Sequence, residues 1–282
     1  MLMNKIFYWP VLFISLAFAT VSCKKDQAEP MVAVVNMVTD INDAIETHAP
    51  VQKPYSIKVG YDVNGYYASV PFNYDKTTKN YPLLVFIPGA GQYGNGSNDL
   101  PLLLNDGPAQ LADAGVFPAN FSVNGKSFSF IMLTPQLKGF PSLEGIWSFI
   151  AYAKKTYRVD STRIYLSGLS IGGQLASDLA GAYPSEVAAI VPISGESIYP
   201  ETCASIAKHN IAVWDFHNSG DPAINVAESN NFIAWINNNA PAIAPRQTIF
   251  QAMTHDAWTA AINPAYKENN LNIYEWMLQY AK

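Results

Sequence analysis

Three side chains in the second half of the chain have the types that acyl transfer needs: Ser170, Asp221 and His255. A serine hydroxyl is too weakly acidic to attack a carbonyl unaided. An imidazole must take its proton, and a carboxylate must fix the imidazole tautomer and stabilise its cation. Ser170 sits in Gly168-Leu169-Ser170-Ile171-Gly172, a Gly-x-Ser-x-Gly pentapeptide. From average glycine usage alone, that pattern arises in about one chain in ten of this length. Its context makes chance a poor explanation. The apolar run Ile164-Tyr165-Leu166 precedes it and an Ala/Leu-rich helical pattern follows from Gln174. Strand, sharp turn and helix are the setting in which such a serine is a nucleophile. Glycines flank it because the serine takes a strained backbone angle and side chains beside it would clash.

The base and the acid are chosen among few candidates. Of the four histidines, His48 lies in the N-terminal segment and His209 in a loop before a strand, at the wrong end of a parallel sheet. His217 directly precedes the acid loop and is expected to shape it by a local hydrogen bond. His255 remains, in a late loop able to reach back to Ser170. Asp221 is the expected acid, with Asp215, inside a strand, as the runner-up. Asp256 and Glu196 are expected to be solvated or to cap loops. No His-x-x-x-His spacing supports a metal site, and no cofactor is expected. Pro88-Gly89-Ala90-Gly91, followed by Gln92 to Gly96, is a glycine-rich loop. A phosphate loop would end in Gly-Lys-Ser/Thr or open a helix with Gly-x-Gly-x-x-Gly. Neither is present, so the loop is read as a source of backbone N–H groups for an oxyanion.

The elements that must carry these residues alternate. Leu83 to Ile87, Phe128 to Leu133, Val187 to Ile193 and Ile211 to Phe216 read as buried strands, and Gln247 to Phe250 as a short strand. Leu143 to Tyr157, Gln174 to Tyr183, Val226 to Asn237 and Tyr274 to Ala281 read as helices, and Leu100 to Ala114 as a helical connection broken at Pro108. Ser56 to Tyr61 and Tyr66 to Val70 are expected to form a hairpin about Asn64-Gly65. Strand–helix alternation from residue 83 onward predicts an α/β fold with a mostly parallel sheet and helices on both faces. In such sheets functional residues gather at the carboxyl ends of strands, and Ser170, Asp221 and His255 each follow one.

Residues from about 55 to 282 resemble the α/β-hydrolase fold, whose triad runs in the same chain order. Within it they resemble secreted bacterial esterases related to feruloyl and acetylxylan esterases and polyhydroxybutyrate depolymerases, a group often labelled predicted peptidases. The resemblance rests on Tyr81 to Phe86, Pro88 to Gly91, Thr134-Pro135-Gln136, Tyr157 through Gly173, His217-x-x-x-Asp221 and His255-Asp256-Ala257-Trp258. One departure is Pro88, where the group usually has histidine. The resemblance implies Ser170 as nucleophile, His255 as general base and acid, and Asp221 as orienting carboxylate. It implies backbone N–H groups of Ile171 and Ala90 as oxyanion donors, and Trp258, Gln136, Tyr93 and Trp147 as candidates for the substrate wall, against ordinary packing roles for the same four. The substrates it implies are acyl or feruloyl esters of plant polysaccharides, or small esters. A prolyl-oligopeptidase-type serine peptidase and a non-catalytic binding protein on the same scaffold are the alternatives.

The start of the chain reads as an export signal. Lys5 precedes the apolar stretch Ile6 to Thr20, which is short for a membrane span. Val21-Ser22-Cys23 resembles a lipoprotein box, with Leu replaced by Thr20. The expected organisation is a signal peptide over 1–22, a tether with a short helix over 23–53, and a catalytic domain over 54–282. Cys23 would carry the lipid and hold the protein on the outer membrane, on its periplasmic or outer side. Cys203 then has no disulfide partner. The chain carries 17 basic and 22 acidic residues, a formal net charge of −5 with no basic stripe, so nucleic-acid binding has no support.

Overall fold

The computed structural model describes residues 44–282. The expected signal peptide, the lipidation site at Cys23 and most of the expected N-terminal helix (Met31 to His48) lie outside the described residues. Two sheets are present among those described. The larger has eight strands: β1 (Val51–Tyr55), β2 (Val63–Val70), β3 (Tyr81–Ile87), β6 (Ile131–Leu137), β7 (Val159–Leu169), β8 (Ala189–Ile193), β9 (Ala212–Asn218) and β10 (Arg246–Phe250). The smaller is the hairpin of β4 (Phe121–Val123) and β5 (Lys126–Phe128). The helices are α1 (Pro108–Asp113), α2 (Leu143–Thr156), α3 (Ile171–Ala182), α4 (Pro200–Lys208), α5 (Val226–Asn238), α6 (Trp258–Ala261) and α7 (Ile273–Met277).

The large sheet runs β1-β2-β6-β3-β7-β8-β9-β10. From β6 through β10 every pairing is parallel, while β1 and β2 join antiparallel at one edge. The fold class read from the sequence is therefore the one observed. The continuous apolar character of β3 has a direct cause. Leu83, Val85 and Ile87 point to one face and join the core under α2, α3, α4 and α5. Leu84 and Phe86 point to the other and join the core formed with α1, β4, α6 and α7. A strand covered on both faces has no side that can be polar.

The expected hairpin at Asn64-Gly65 is not formed. Strand β1 is Val51–Tyr55, ahead of the expected Ser56 to Tyr61, and both Asn64 and Gly65 lie inside β2. The β2/β6 register shifts between Val63 and Gly65, and a Cβ on Gly65 would stand 2.8 Å from the Gly96 carbonyl oxygen and 2.9 Å from that of Tyr55. The glycine admits two neighbouring backbones at a bulge, a use of glycine within strands that the dipeptide does not separate from a turn. The β4–β5 hairpin and α4 have no counterpart in the sequence reading. The turn of that hairpin is Asn124-Gly125, both at positive φ. Here the Asn-Gly pair does form the hairpin turn.

Candidate active site

The turn after β7 sets the geometry. Ser170 has φ +52° and ψ −127°, in the left-handed half of the map where a non-glycine residue is strained. The backbone on both sides of it is locked. Its N–H donates to the Ile193 carbonyl at the end of β8, and its carbonyl accepts from Gly173 and Gln174 at the start of α3. The flanking glycines answer to crowding. A Cβ on Gly172 would lie 2.1 Å from the Ile87 carbonyl oxygen, and one on Gly168 would lie 2.4 Å from that of Gly172. The strain is thus borne by Ser170, while the glycines let α3 and β3 press against its turn.

Asp221 and His255 arrive from the turns after β9 and β10, the two strands that follow β8 in the sheet. The Ser170 hydroxyl lies 2.9 Å from His255 Nε2, and His255 Nδ1 lies 2.7 Å from Asp221 Oδ2. An ionised carboxylate can only accept, so Nδ1 carries the proton and Nε2 offers its lone pair to the serine. The other oxygen of Asp221, Oδ1, accepts from the backbone N–H groups of Ala223 (2.8 Å) and Ile224 (3.0 Å). Burial pushes the Asp221 carboxyl up. The hydrogen bond from His255 and the two backbone donors outweigh it and hold the group below the usual carboxylate range. His255 keeps 25% of its side chain exposed, while that of Asp221 is fully covered.

Beside the serine is a cavity of ≈ 280 Å³, lined by Gly89, Ala90, Gly91, Gln92, Asn105, Asp106, Leu169, Ser170, His255 and Trp258. The glycine loop forms its wall. A Cβ on Gly89 would come within 2.5 Å of Leu169 Cδ1 and 3.7 Å of the Ser170 Cβ, so the loop passes directly over the elbow. Ile171 is the first residue of α3, and the first N–H groups of a helix have no intrahelical acceptor. Ala90 starts the short turn on the facing loop and lines the cavity. Gln92 braces this loop by accepting from the Gly89 N–H at 3.0 Å.

Of the four expected wall residues, only Trp258 lines this cavity. Its indole N–H donates to Asp106 Oδ1 at 2.9 Å, and its ring meets that of His255 edge-on at 5.2 Å. Gln136 is wholly buried behind the loop: its Oε1 accepts from Gly96 N–H, and its Nε2 donates to the carbonyls of Gln92 and Asp99. A residue that braces the loop from behind cannot also face a ligand. Tyr93 packs on the apolar core, and Trp147 stacks on Tyr183 at 4.0 Å and lines a different depression with Lys154, Lys155 and Glu186. Asn105 and Asp106 also line the cavity. Their sequence, between two apolar stretches, marks them only as a loop.

Asp256 caps α6 through Thr259 and is exposed, as expected of it. Glu196, expected to be solvated or to cap a loop, is buried and accepts from the Gly195 N–H of its own loop, and Asp215 is buried as well. Cys203 is buried and free, and burial pushes its thiol up to about 12. No group of histidine, cysteine and acidic side chains among the described residues is arranged to hold a metal ion.

Comparison with known proteins adds to this geometry. The family described as phospholipase/carboxylesterase matches residues 110–272, more than half of the chain. A bifunctional acetylxylan esterase/xylanase of Neocallimastix patriciarum is 27% identical over 154 residues, which cover 55% of this chain and 21% of that one. The match thus spans about a fifth of that relative's length. A thermostable esterase structure superimposes with a TM-score of 0.57 at 21% identity, covering 83% of this chain and 64% of that one. A ferulic acid esterase superimposes with a TM-score of 0.53 at 14% identity, covering 77% and 96%. At these identities the two structures show a shared fold.

Proposed function

Because the chain belongs to the phospholipase/carboxylesterase family, we propose that it is a serine carboxylic ester hydrolase that works through an acyl-enzyme. The observation that carries the reading is the continuous relay from Ser170 Oγ through His255 to Asp221, at 2.9 and 2.7 Å. Ser170 Oγ attacks the ester carbonyl as its proton passes to His255 Nε2. The carbonyl oxygen becomes an oxyanion facing the N–H groups of Ile171 and Ala90, each worth about 3 kcal/mol to the transition state. The imidazolium, steadied by Asp221, then protonates the departing alcohol. Water repeats the sequence to free the acid and regenerate Ser170. No step calls for a metal or an organic cofactor.

The substrates proposed are acyl or feruloyl esters of plant polysaccharides, or small esters of the same acids. Similarity to an acetylxylan esterase and to a ferulic acid esterase supports this class. So does the cavity, where Trp258 gives an aromatic face beside the polar Asn105 and Asp106. Export and a lipid anchor at Cys23 complete the proposal, supported by Lys5, the apolar stretch that follows and the Val21-Ser22-Cys23 box.

The full-length chain and its Ser170→Ala variant are to be assayed on p-nitrophenyl acetate, methyl ferulate and a peptide anilide. Hydrolysis of one or both esters, lost in the variant, is the expected result. An equally active variant overturns the mechanism, and cleavage of the anilide alone assigns a peptidase. Cys23→Ala is expected to move the protein out of the membrane fraction, and unchanged retention there removes the anchor.

A further inference from the structure

Against Asp221, and outside the lining of the cavity, lies a second set of ionisable side chains that the acyl-transfer scheme does not use. Asp215 and His217 are two residues apart on β9 and so share the face that carries α5. Glu196 follows the turn after β8. All three are fully buried. His217 Nε2 donates to the Ile224 carbonyl at 3.1 Å and stands 3.5 Å from Asp221 Oδ2, the same oxygen that accepts from His255. His217 Nδ1 lies 2.9 Å from Glu196 Oε1, which also accepts from the Gly195 N–H. On the far side, Ser229 of α5 donates to Asp215 Oδ2, and its hydroxyl accepts from Gln247 of β10.

Counting protons gives this set its character. Glu196 Oε2 and Asp215 Oδ1 are both buried, and neither meets a donor elsewhere among the described residues. Two carboxylates facing each other without a donor would repel at close range in a medium of low polarity. One proton held between them turns the repulsion into a hydrogen bond. A second proton sits between Glu196 Oε1 and His217 Nδ1, because Nε2 already carries its own hydrogen for the Ile224 carbonyl. With those two protons, Asp215, Glu196 and His217 are together neutral. Burial, then the facing carboxyl of Glu196, pushes Asp215 well above the usual range. Burial pushes Glu196 up to about 7.

We propose that Glu196 and His217 are positioning residues for the hydrolytic site, a buried acid–imidazole pair that braces Asp221 and keeps its Oδ2 aimed at His255. The proposal rests on the reading of Ser170 as nucleophile. The pair acts while the proton shared with Asp215 is in place. When that proton leaves, net negative charge appears against Asp221. That charge repels the Asp221 carboxylate and loosens its aim at His255, which slows both proton transfers of the relay. The charged and titratable groups facing the pair are Asp215 on β9, Asp221 and His255 on the loops after β9 and β10, and Glu228 on α5; Ser229 and Gln247 are its neutral neighbours.

The test is a pH profile of kcat and KM on p-nitrophenyl acetate with the full-length chain, beside Glu196→Gln and Asp215→Asn. Glutamine keeps the shape and can hydrogen-bond both neighbours, but it cannot share a proton. The wild type is expected to lose turnover on the basic side of its pH optimum. In Glu196→Gln that basic limb disappears, and kcat at the optimum falls about tenfold with KM unchanged, as expected for a small misplacement of the relay. Asp215→Asn gives Glu196 Oε2 a fixed N–H donor, so the limb disappears there too. A wild-type profile without a basic limb overturns the proposal, as does a folded variant that retains it. A variant that lowers only thermal stability assigns the pair to packing and also overturns it. Were Ser170→Ala fully active, the nucleophile reading would fail instead, a result distinct from all of these.

Discussion

Two imidazoles meet the same oxygen of Asp221, and their surroundings differ in every other respect. His255 approaches at 2.7 Å, keeps a quarter of its side chain exposed and turns its free nitrogen to Ser170. His217 approaches at 3.5 Å, is fully buried and turns its second nitrogen to Glu196. One ring lies between a carboxylate and a hydroxyl at a cavity, the other between two carboxyl groups in the core. An imidazole next to an acid is therefore not in itself a catalytic base. Under the proposed mechanism the chemistry belongs to the ring whose far side faces Ser170 and open space.

This contrast can be broken most sharply at its exposed end. Ser170→Ala is expected to lower kcat by about a million-fold, leaving whatever residual rate binding and the oxyanion donors supply. Asp221→Asn should cost about ten-thousand-fold, because the amide leaves His255 in the wrong tautomer. If its turnover stays at the wild-type level, the distinction between the two rings fails.

The buried end is sharpened by thermal unfolding. A carboxyl raised in the folded protein contributes stability below its ordinary value, and that contribution is lost as pH rises through its folded value. For Glu196 the loss runs from the ordinary carboxylate range up to about 7. Asp221 is depressed, so its contribution is present above the ordinary range and lost only in more acidic solution. Tm is therefore expected to fall by several degrees between about pH 5 and about pH 8. Glu196→Gln should flatten that slope, and an unchanged slope would place the titrating group elsewhere. The smallest effect is expected from Trp258→Phe, which removes the hydrogen bond to Asp106 from the cavity wall. Loss of one such bond, about 1 kcal/mol, should raise KM a few-fold and leave kcat nearly intact. A large fall in kcat would instead mean that the ring also steadies His255.

The sheet and the relay were legible because strong local patterns encode them. Buried strands such as Leu83 to Ile87 read as continuous apolar runs, and each of the three relay residues follows the end of a strand. What stayed illegible depends on approach between distant backbones. Gly65 looks like half of a turn until Gly96 is seen pressed against it. Gln136 looks like a polar wall residue until its amide is seen spent on the loop from Gln92 to Asp99. Glu196 looks like an ordinary loop acid, since nothing in its neighbours announces that β9 will bury it against Asp215. Trp258 and the pair Asn105-Asp106 differ in the same way. The tryptophan belongs to a motif around His255, whereas the pair has no pattern beyond that of a loop.

Ser170 and His255 are 85 positions apart, and the turn that holds the serine is tied down by the end of β8. During folding the elbow can take shape before its base has been brought into place. Under the proposed mechanism, attack on an ester must wait until β9 and β10 have docked and delivered the acid and the base. Hydrolysis of a chromogenic ester would then serve as a clock for the last stage of folding, silent in truncated chains and switched on when the far edge of the sheet closes.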